Sequence, residues 1–416
     1  MIAWLILTTL AQAGEPLTLD DALARAETHP VVDAADAEAR AARADTATAW
    51  LGAVGPRIGG SLTTTSRTEE LAIDTPIGPF VQQPKDVATG GFEAHWPIVD
   101  AAGLLGRAPA AAAGAQAAEL QAQRTRDLVR LRAGEAYLDV LVVDARIAAI
   151  DRLIASLESR RSQADQLVTS GLAVRADRLR LDVALADASV ARTRLVAGRE
   201  AALSTLAWRL GSDATVELDF AWARPDDPPA VTAALDTARE RHDLRALDAQ
   251  RRALLRQQRA TWLETVPTVG LWGRYSWTDN DQLVANEWVE GGIELSWTAV
   301  AGGTRISRAR AQAQRKQAIE ARIEDVERGL SAELAGARAQ LVGALAEVDA
   351  RSLAVEQATE AERLLASRYD QGLAPLTDVL QATASRAEQE AALQISRLEA
   401  TRAWLRWTAA RGGTGR

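Results

Sequence analysis

The sequence predicts a mainly α-helical chain with a small β part, in which long coiled-coil hairpins carry four short β-strands. Three observations predict it. The chain resembles itself at a long offset. Two stretches of about 66 residues hold helical spacing almost without a breaker. Between the helices lie glycine- and aromatic-rich segments in which apolar and polar residues alternate with period two.

The N-terminal residues Met1–Ala13 are apolar from Ile2 to Leu10 and end in Ala11-Gln12-Ala13, the small-x-small pattern of a signal-peptidase site. They read as an export signal cut after Ala13. No later run reaches about 18 apolar residues, so a membrane role would have to use barrel strands.

The repeat fixes the organisation. Gly90-Gly91-Phe92-Glu93-Ala94-His95-Trp96 matches Gly291-Gly292-Ile293-Glu294-Leu295-Ser296-Trp297 at an offset of 201, as does Ser170-Gly171-Leu172-Ala173 on Gln371-Gly372-Leu373-Ala374. Upstream the offset grows to 212, where Trp50-Leu51 falls on Trp262-Leu263; the difference is assigned to a loop between Arg67 and Val87. The expected divisions are a signal at 1–13, a first repeat at 14–211, a linker at 212–229, a second repeat at 230–412 and a tail at 413–416.

Each repeat is expected to run helix, two strands, two long helices. From Leu104 to Thr169 and from Thr304 to Tyr369 there is no proline after Pro109, and Leu128, Leu131, Leu138, Val142, Ala145 and Ala149 step by 3, 4 and 7. About 66 residues at 1.5 Å each make a rod of roughly 100 Å, which needs neighbours along its length. Gly171 and Gly372 punctuate the helix reversals, and Pro375 suits the first turn of the returning helix.

In the strands, Val289, Gly291, Ile293, Leu295 and Trp297 fall on one face and Glu290, Gly292, Glu294 and Ser296 on the other. The first repeat sets Gly90, Phe92, Ala94, Trp96 and Ile98 against Gly91, Glu93 and His95. From Thr268 to Trp277, Trp272 alone spoils the split. Such strands suit either a transmembrane barrel or a sheet resting on helices. Four strands are too few to close a barrel whose smallest form has about eight, so closure requires several chains; three would supply twelve strands and twelve helical passes.

Composition excludes other classes. With no cysteine and only His29, His95 and His242, none at a metal-ligand spacing such as i, i+4, the sequence excludes thiolate sites and argues against a histidine-based metal centre or triad. No catalytic residue, metal or cofactor is assigned, and the chain is read as a non-enzyme. The 48 basic and 56 acidic residues form no basic stripe, which argues against nucleic acid as a partner.

Several segments resemble the TolC-like outer membrane efflux protein family. Leu17-Thr18-Leu19-Asp20-Asp21-Ala22-Leu23 followed by His29-Pro30 is similar to the family opening, where Asn-Pro is commoner. Trp96-Pro97-Ile98-Val99-Asp100 with Gly103 resembles the passage from strand to helix, and Arg368-Tyr369-Asp370-Gln371-Gly372-Leu373-Ala374-Pro375-Leu376-Thr377-Asp378-Val379-Leu380 the periplasmic helix reversal.

The resemblance implies a homotrimer, with a twelve-stranded β-barrel in the outer membrane continuing into a twelve-helix periplasmic tunnel. It implies a passive exit duct, coupled through a periplasmic adaptor protein to an inner-membrane transporter. Gly171, Leu172, Ala173, Gly372, Leu373 and Ala374 would be adaptor contacts. Tyr369, Asp378, Gln381 and Asp177 would form the periplasmic gate. Gln381 stands where the family has a second aspartate, which weakens an acidic double ring, and Asp177 and Asp378 are equally read as acids favoured at helix starts. Glu93 and Glu294 would line the barrel lumen. The competing reading is a periplasmic coiled-coil scaffold or adaptor without a barrel. No residue names the cargo.

Overall fold

The computed structural model describes residues 16–170, 174–211, 217–281, 283–298 and 302–413. The expected signal at 1–13 lies outside them. The helices are α1 (Leu19–Arg25), α2 (Pro30–Val54), α3 (Ala108–Thr169), α4 (Arg175–Leu210), α5 (Val231–Ala238), α6 (His242–Leu263), α7 (Thr304–Asp370) and α8 (Leu376–Ala410). The strands are β1 (Arg57–Ser66), β2 (Leu71–Thr75), β3 (Gly78–Gln83), β4 (Asp86–Val99), β5 (Thr268–Thr278) and β6 (Glu287–Ser296). No described helix is long and apolar enough to cross a membrane.

The residues group into two compact units that cut across the sequence repeats. One comprises 1–35, 122–242 and 326–416; the other comprises 36–121 and 243–325.

In the first unit, Thr18 and Asp21 form a reciprocal cap on α1: the Thr18 hydroxyl accepts from the Asp21 N–H at 3.2 Å, and the Asp21 carboxylate accepts from the Thr18 N–H at 3.3 Å. His29 then caps α2, its Nδ1 accepting the Val31 N–H at 3.2 Å. The imidazole does there what a short polar cap does elsewhere, and Pro30 begins the helix with its fixed φ.

The core of this unit surrounds the middle of α3. Ala133, Tyr137, Leu138 and Val140 are fully buried among Leu17, Leu23, Leu206, Leu210 and Leu405. The Tyr137 hydroxyl sits against two backbone carbonyls, Leu17 O at 3.0 Å and Asp219 O at 2.7 Å. These carbonyls belong to a parallel bridge, Leu17 to Leu218, that carries residues 217–219 of the expected linker. The phenol therefore ties three remote stretches together.

In the second unit the sheet runs β1-β4-β5-β6, antiparallel throughout, and β1 and β6 are its edges. The expected loop between Arg67 and Val87 instead contains a separate hairpin, β2 paired with β3. The chain thus has six strands among the described residues, not four, though four form the main sheet. Helices α2 and α6 lead into β1 and β5, and α3 and α7 follow β4 and β6, so all four helix junctions fall at one end of the sheet. Before α3, a π-helical turn spans Gly103–Arg107, entered from Asp100, whose Oδ1 accepts the Gly103 N–H at 2.8 Å.

Candidate functional site

Two regions hold the residues singled out in the sequence, one in each unit. The first is the sheet. Register brings Phe92, Tyr275 and Val289 side by side, and likewise Trp96, Leu271 and Ile293. Period-two alternation then puts Ile58, Leu62, Phe92, Trp96, Leu271, Val289, Ile293 and Leu295 on one face, and all are exposed. Ile293 is 75% exposed, and with its neighbours on this face it makes a contiguous apolar patch of the kind that marks a protein or membrane contact. Aromatics bound this face: Trp277 pairs with Gly90, six residues along β4 from Trp96, or about 20 Å.

The opposite face is polar and paired. Glu93, Arg274 and Glu290 lie in register on three neighbouring strands. Arg274 reaches Glu93 at 3.3 Å and Glu290 at 3.4 Å, and its guanidinium lies 5.6 Å from the Trp272 ring centroid. Trp272, the residue that broke the sequence alternation, therefore rests on the polar face beneath a cation. His95 Nδ1 lies 3.3 Å from Glu294 Oε2. The imidazole crosses the intervening strand over Gly270, where a Cβ would stand 2.9 Å from its Cε1. Glu93 and Glu294 are thus each held by a basic partner, and Arg274, Glu290 and His95 complete the cluster.

The second region is the helix reversal. Gly171, Leu172 and Ala173 lie outside the described residues. At the other reversal Gly372 has φ +72°, and two bonds close the end of α7: Gly372 N–H to Tyr369 O and Leu373 N–H to Arg368 O, both 2.8 Å. Pro375 occupies the cap position before α8 rather than its first turn. Leu373 is exposed and Ala374 partly so.

Tyr369 packs with Leu157, Ala164, Leu181 and Leu376, contributed by α3, α4 and α8. Burial pushes its phenol above the ordinary value; the nearby Asp177 carboxylate adds to this, and Arg160 opposes it. Asp177 also pairs with Arg180 at 3.2 Å in the first turn of α4. Asp378 and Gln381 lie three residues apart on α8, both exposed, and the Asp378 carboxylate accepts the Thr377 hydroxyl at 3.4 Å. The fold thus brings Tyr369 and Asp177 together and leaves Asp378 and Gln381 facing away from that packing.

Sequence reasoning missed a group of charges just inside the reversal. Glu362 on α7 accepts from Arg160 on α3 at 3.4 Å and from Thr383 and Arg386 on α8 at 2.7 and 3.2 Å. Arg386 continues to Glu390 at 2.9 Å, and Glu390 to Arg152 at 2.6 Å. Each residue is unremarkable alone, and no local spacing announces that three helices converge on one carboxylate.

Residues 235–413 match the family model described as outer membrane efflux protein. No curated protein sequence matches the chain. Among solved structures, the outer membrane protein VceC of Vibrio cholerae is similar at 18% identity and TM-score 0.76, over 95% of this chain and 96% of that one. The CmeC outer membrane channel of Campylobacter jejuni is similar at 14% identity and TM-score 0.78, over 95% and 86%. The MtrE outer membrane channel of Neisseria gonorrhoeae is similar at 17% identity and TM-score 0.76, over 95% and 89%. The resemblance to TolC-like outer membrane efflux proteins is thus met twice, by the family model over residues 235–413 and by the fold of outer membrane channels over 95% of the chain.

Proposed function

We propose that the chain is one subunit of a homotrimeric outer-membrane exit duct. The observation that carries this is the four-stranded sheet, with an exposed apolar face, a charged opposite face and two unpaired edges. Four strands cannot close a barrel, and an open edge beside an apolar face invites pairing with a like edge. Three copies joined β1 to β6 make twelve strands, with the apolar faces toward lipid and the Glu93, Arg274, Glu290 and Glu294 ladder toward water. The aromatics at both ends of the apolar face suit the interfacial girdles of such barrels.

On this reading the helix end of the sheet faces the periplasm, and the hairpin end faces outward. The reversals at 171–173 and 372–374 meet a periplasmic adaptor that links the duct to an inner-membrane transporter. Tyr369, Asp177, Asp378 and Gln381 form the gate. The channel proteins of similar fold support the duct, and the paired polar face supports a hydrated lumen.

Fractionation of cells expressing the full chain, followed by gel mobility with and without heating, tests the proposal. The expected result is a band in the outer-membrane fraction that runs at trimer mass unheated and at monomer mass after boiling. A soluble monomer would overturn it.

A further inference from the structure

At the helix end of the sheet lies a cavity of about 320 Å³ between the ends of β5, β6 and α6 and the start of α7. Its walls combine apolar surface, from Leu263, Val266 and Trp297, with Arg107, Arg305 and Arg308. Two of these arginines are neutralised: Arg107 pairs with Asp100, and Arg308 with Glu264 at 3.1 Å. Three cations against two carboxylates leave one positive charge, and it belongs to Arg305. The Arg305 Nη2 donates to the backbone carbonyls of Thr298 at 2.9 Å and Glu264 at 3.3 Å, while its Nε is buried without a partner. The carbonyls fix the guanidinium but do not cancel its charge. The positive end of α7, which starts at Thr304, and the negative end of α6, which closes at Leu263, meet at the cavity and offset each other, so the guanidinium remains the source of its net charge.

The surroundings identify the ligand's medium. Trp50, Trp96, Trp262 and Trp297, each beside a junction of strand and helix, are all exposed at this end of the sheet. Tryptophans so placed mark the level of lipid headgroups. An uncompensated guanidinium at that level, next to apolar wall, suits a ligand that carries a phosphate beside an acyl chain.

We propose that this cavity seats the phosphate of an anionic phospholipid from the periplasm-facing leaflet, with Arg305 as its principal contact and the first acyl carbons against Trp297, Leu263 and Val266. The proposal rests on the reading of the sheet as membrane-spanning. Arginine suits the role because its planar fork offers paired donors to phosphate oxygens.

The test uses the purified full-length oligomer in nanodiscs of phosphatidylethanolamine with or without phosphatidylglycerol. Lipids retained after stepwise delipidation are counted by native mass spectrometry. The wild-type protein should retain phosphatidylglycerol selectively, and Arg305→Gln should lower that retention about tenfold, the loss of one charge-assisted contact, without changing phosphatidylethanolamine. Arg305→Lys, which keeps the charge, should keep most of the preference; a loss equal to that of Arg305→Gln would assign the effect to packing and overturn the proposal. Arg322→Gln, exposed further along α7, should retain phosphatidylglycerol as wild type does, and an equal loss there would reduce the effect to net charge. Displacement of the lipid by inorganic phosphate in excess would show a free-anion site and also overturn it. Oligomer mass and heat-dependent mobility are read on the same preparations. An intact trimer without lipid preference defeats only this proposal, whereas failure to form the trimer defeats the duct.

Discussion

Arg160 on α3 and Glu362 on α7 meet at 3.4 Å with side chains only 15% and 13% exposed, the most enclosed acid and base to pair near the described helix reversal. Thr383 and Arg386 on α8 supply the other contacts of the same carboxylate. A group in this setting is held in one ionisation state by its neighbours. Burial acts to raise the Glu362 pKa, but the hydrogen bonds from Thr383 and Arg386, with the charges of Arg386 and Arg160, outweigh it and hold the carboxyl below its ordinary 4.5.

A depressed carboxyl stabilises the folded state fully above its unfolded pKa and ceases to do so as pH falls through the lowered value. Glu362→Gln should therefore cost about 2 to 4 kcal/mol at neutral pH, because two arginines lose their common partner. Wild type and variant should begin to converge as pH falls below about 4.5 and meet only once it has passed the lowered folded value. Chemical denaturation followed by circular dichroism across pH 3 to 8 reads both effects. A constant difference at every pH would detach the stabilisation from this carboxylate.

Gly372 holds φ +72° with no other atom within 4 Å of where a Cβ would stand, so a substitution meets backbone strain and no clash. Gly372→Val should cost about 1 to 2 kcal/mol, confined to the turn. Hydrogen exchange should accelerate at the amides of 368–374 and 376 while the heat-sensitive band of the proposed trimer persists, and export should fail. Gly372→Asn should be milder, since asparagine enters the left-handed region more readily. Unchanged exchange in the valine protein would remove the turn's claim to that conformation.

Asp378 and Gln381 share an exposed face of α8. In the proposed trimer, with these residues at the gate, three carboxylates would lie near one axis. Asp378→Asn should lower the cation-to-anion permeability ratio in planar-bilayer recordings about twofold, the effect of losing roughly 0.5 kcal/mol of Coulomb attraction in a hydrated passage. Gln381→Asp should raise it. If neither changes, Asp378 serves only as a favourable acid at a helix start.

If the sheet forms the proposed barrel, Ile293→Arg or Leu295→Arg should abolish the trimer band, since a charge facing mid-bilayer costs about 2 to 4 kcal/mol and each ring would carry three. Glu294→Arg faces the other way. It should lose only the contact with His95 and leave the band intact. Equal damage at all three positions would mean that neither face meets lipid.

The long helices and the four strands of the main sheet could be read from the sequence because their patterns are local, with periods of 3.6 and 2. The β2–β3 hairpin could not, since Pro76 and Pro79 interrupt a short and weakly alternating stretch. Tyr137 lies outside the stripe that the helical spacing marks, and its hydroxyl contacts carbonyls 120 and 82 residues away. The sequence placed Glu93 and Glu294 on the polar face, but their partners come from strands of the other repeat, and cross-strand register is not written in either segment. Likewise Glu362 becomes visible only when three helices have been packed.

The two open edges of the sheet bear on heredity as well as on shape. In the proposed ring every β1 must meet the β6 of a neighbour, so each seam uses two different surfaces and each chain is responsible for two seams. A chain with one blocked edge could still join through the other and leave the ring unfinished. In a cell making equal amounts of sound and edge-blocked chains, only about one ring in eight would be wholly sound if chains mix at random in threes. Defects in β1 or β6 should therefore be dominant, whereas defects confined to folding of the chain before assembly should be recessive.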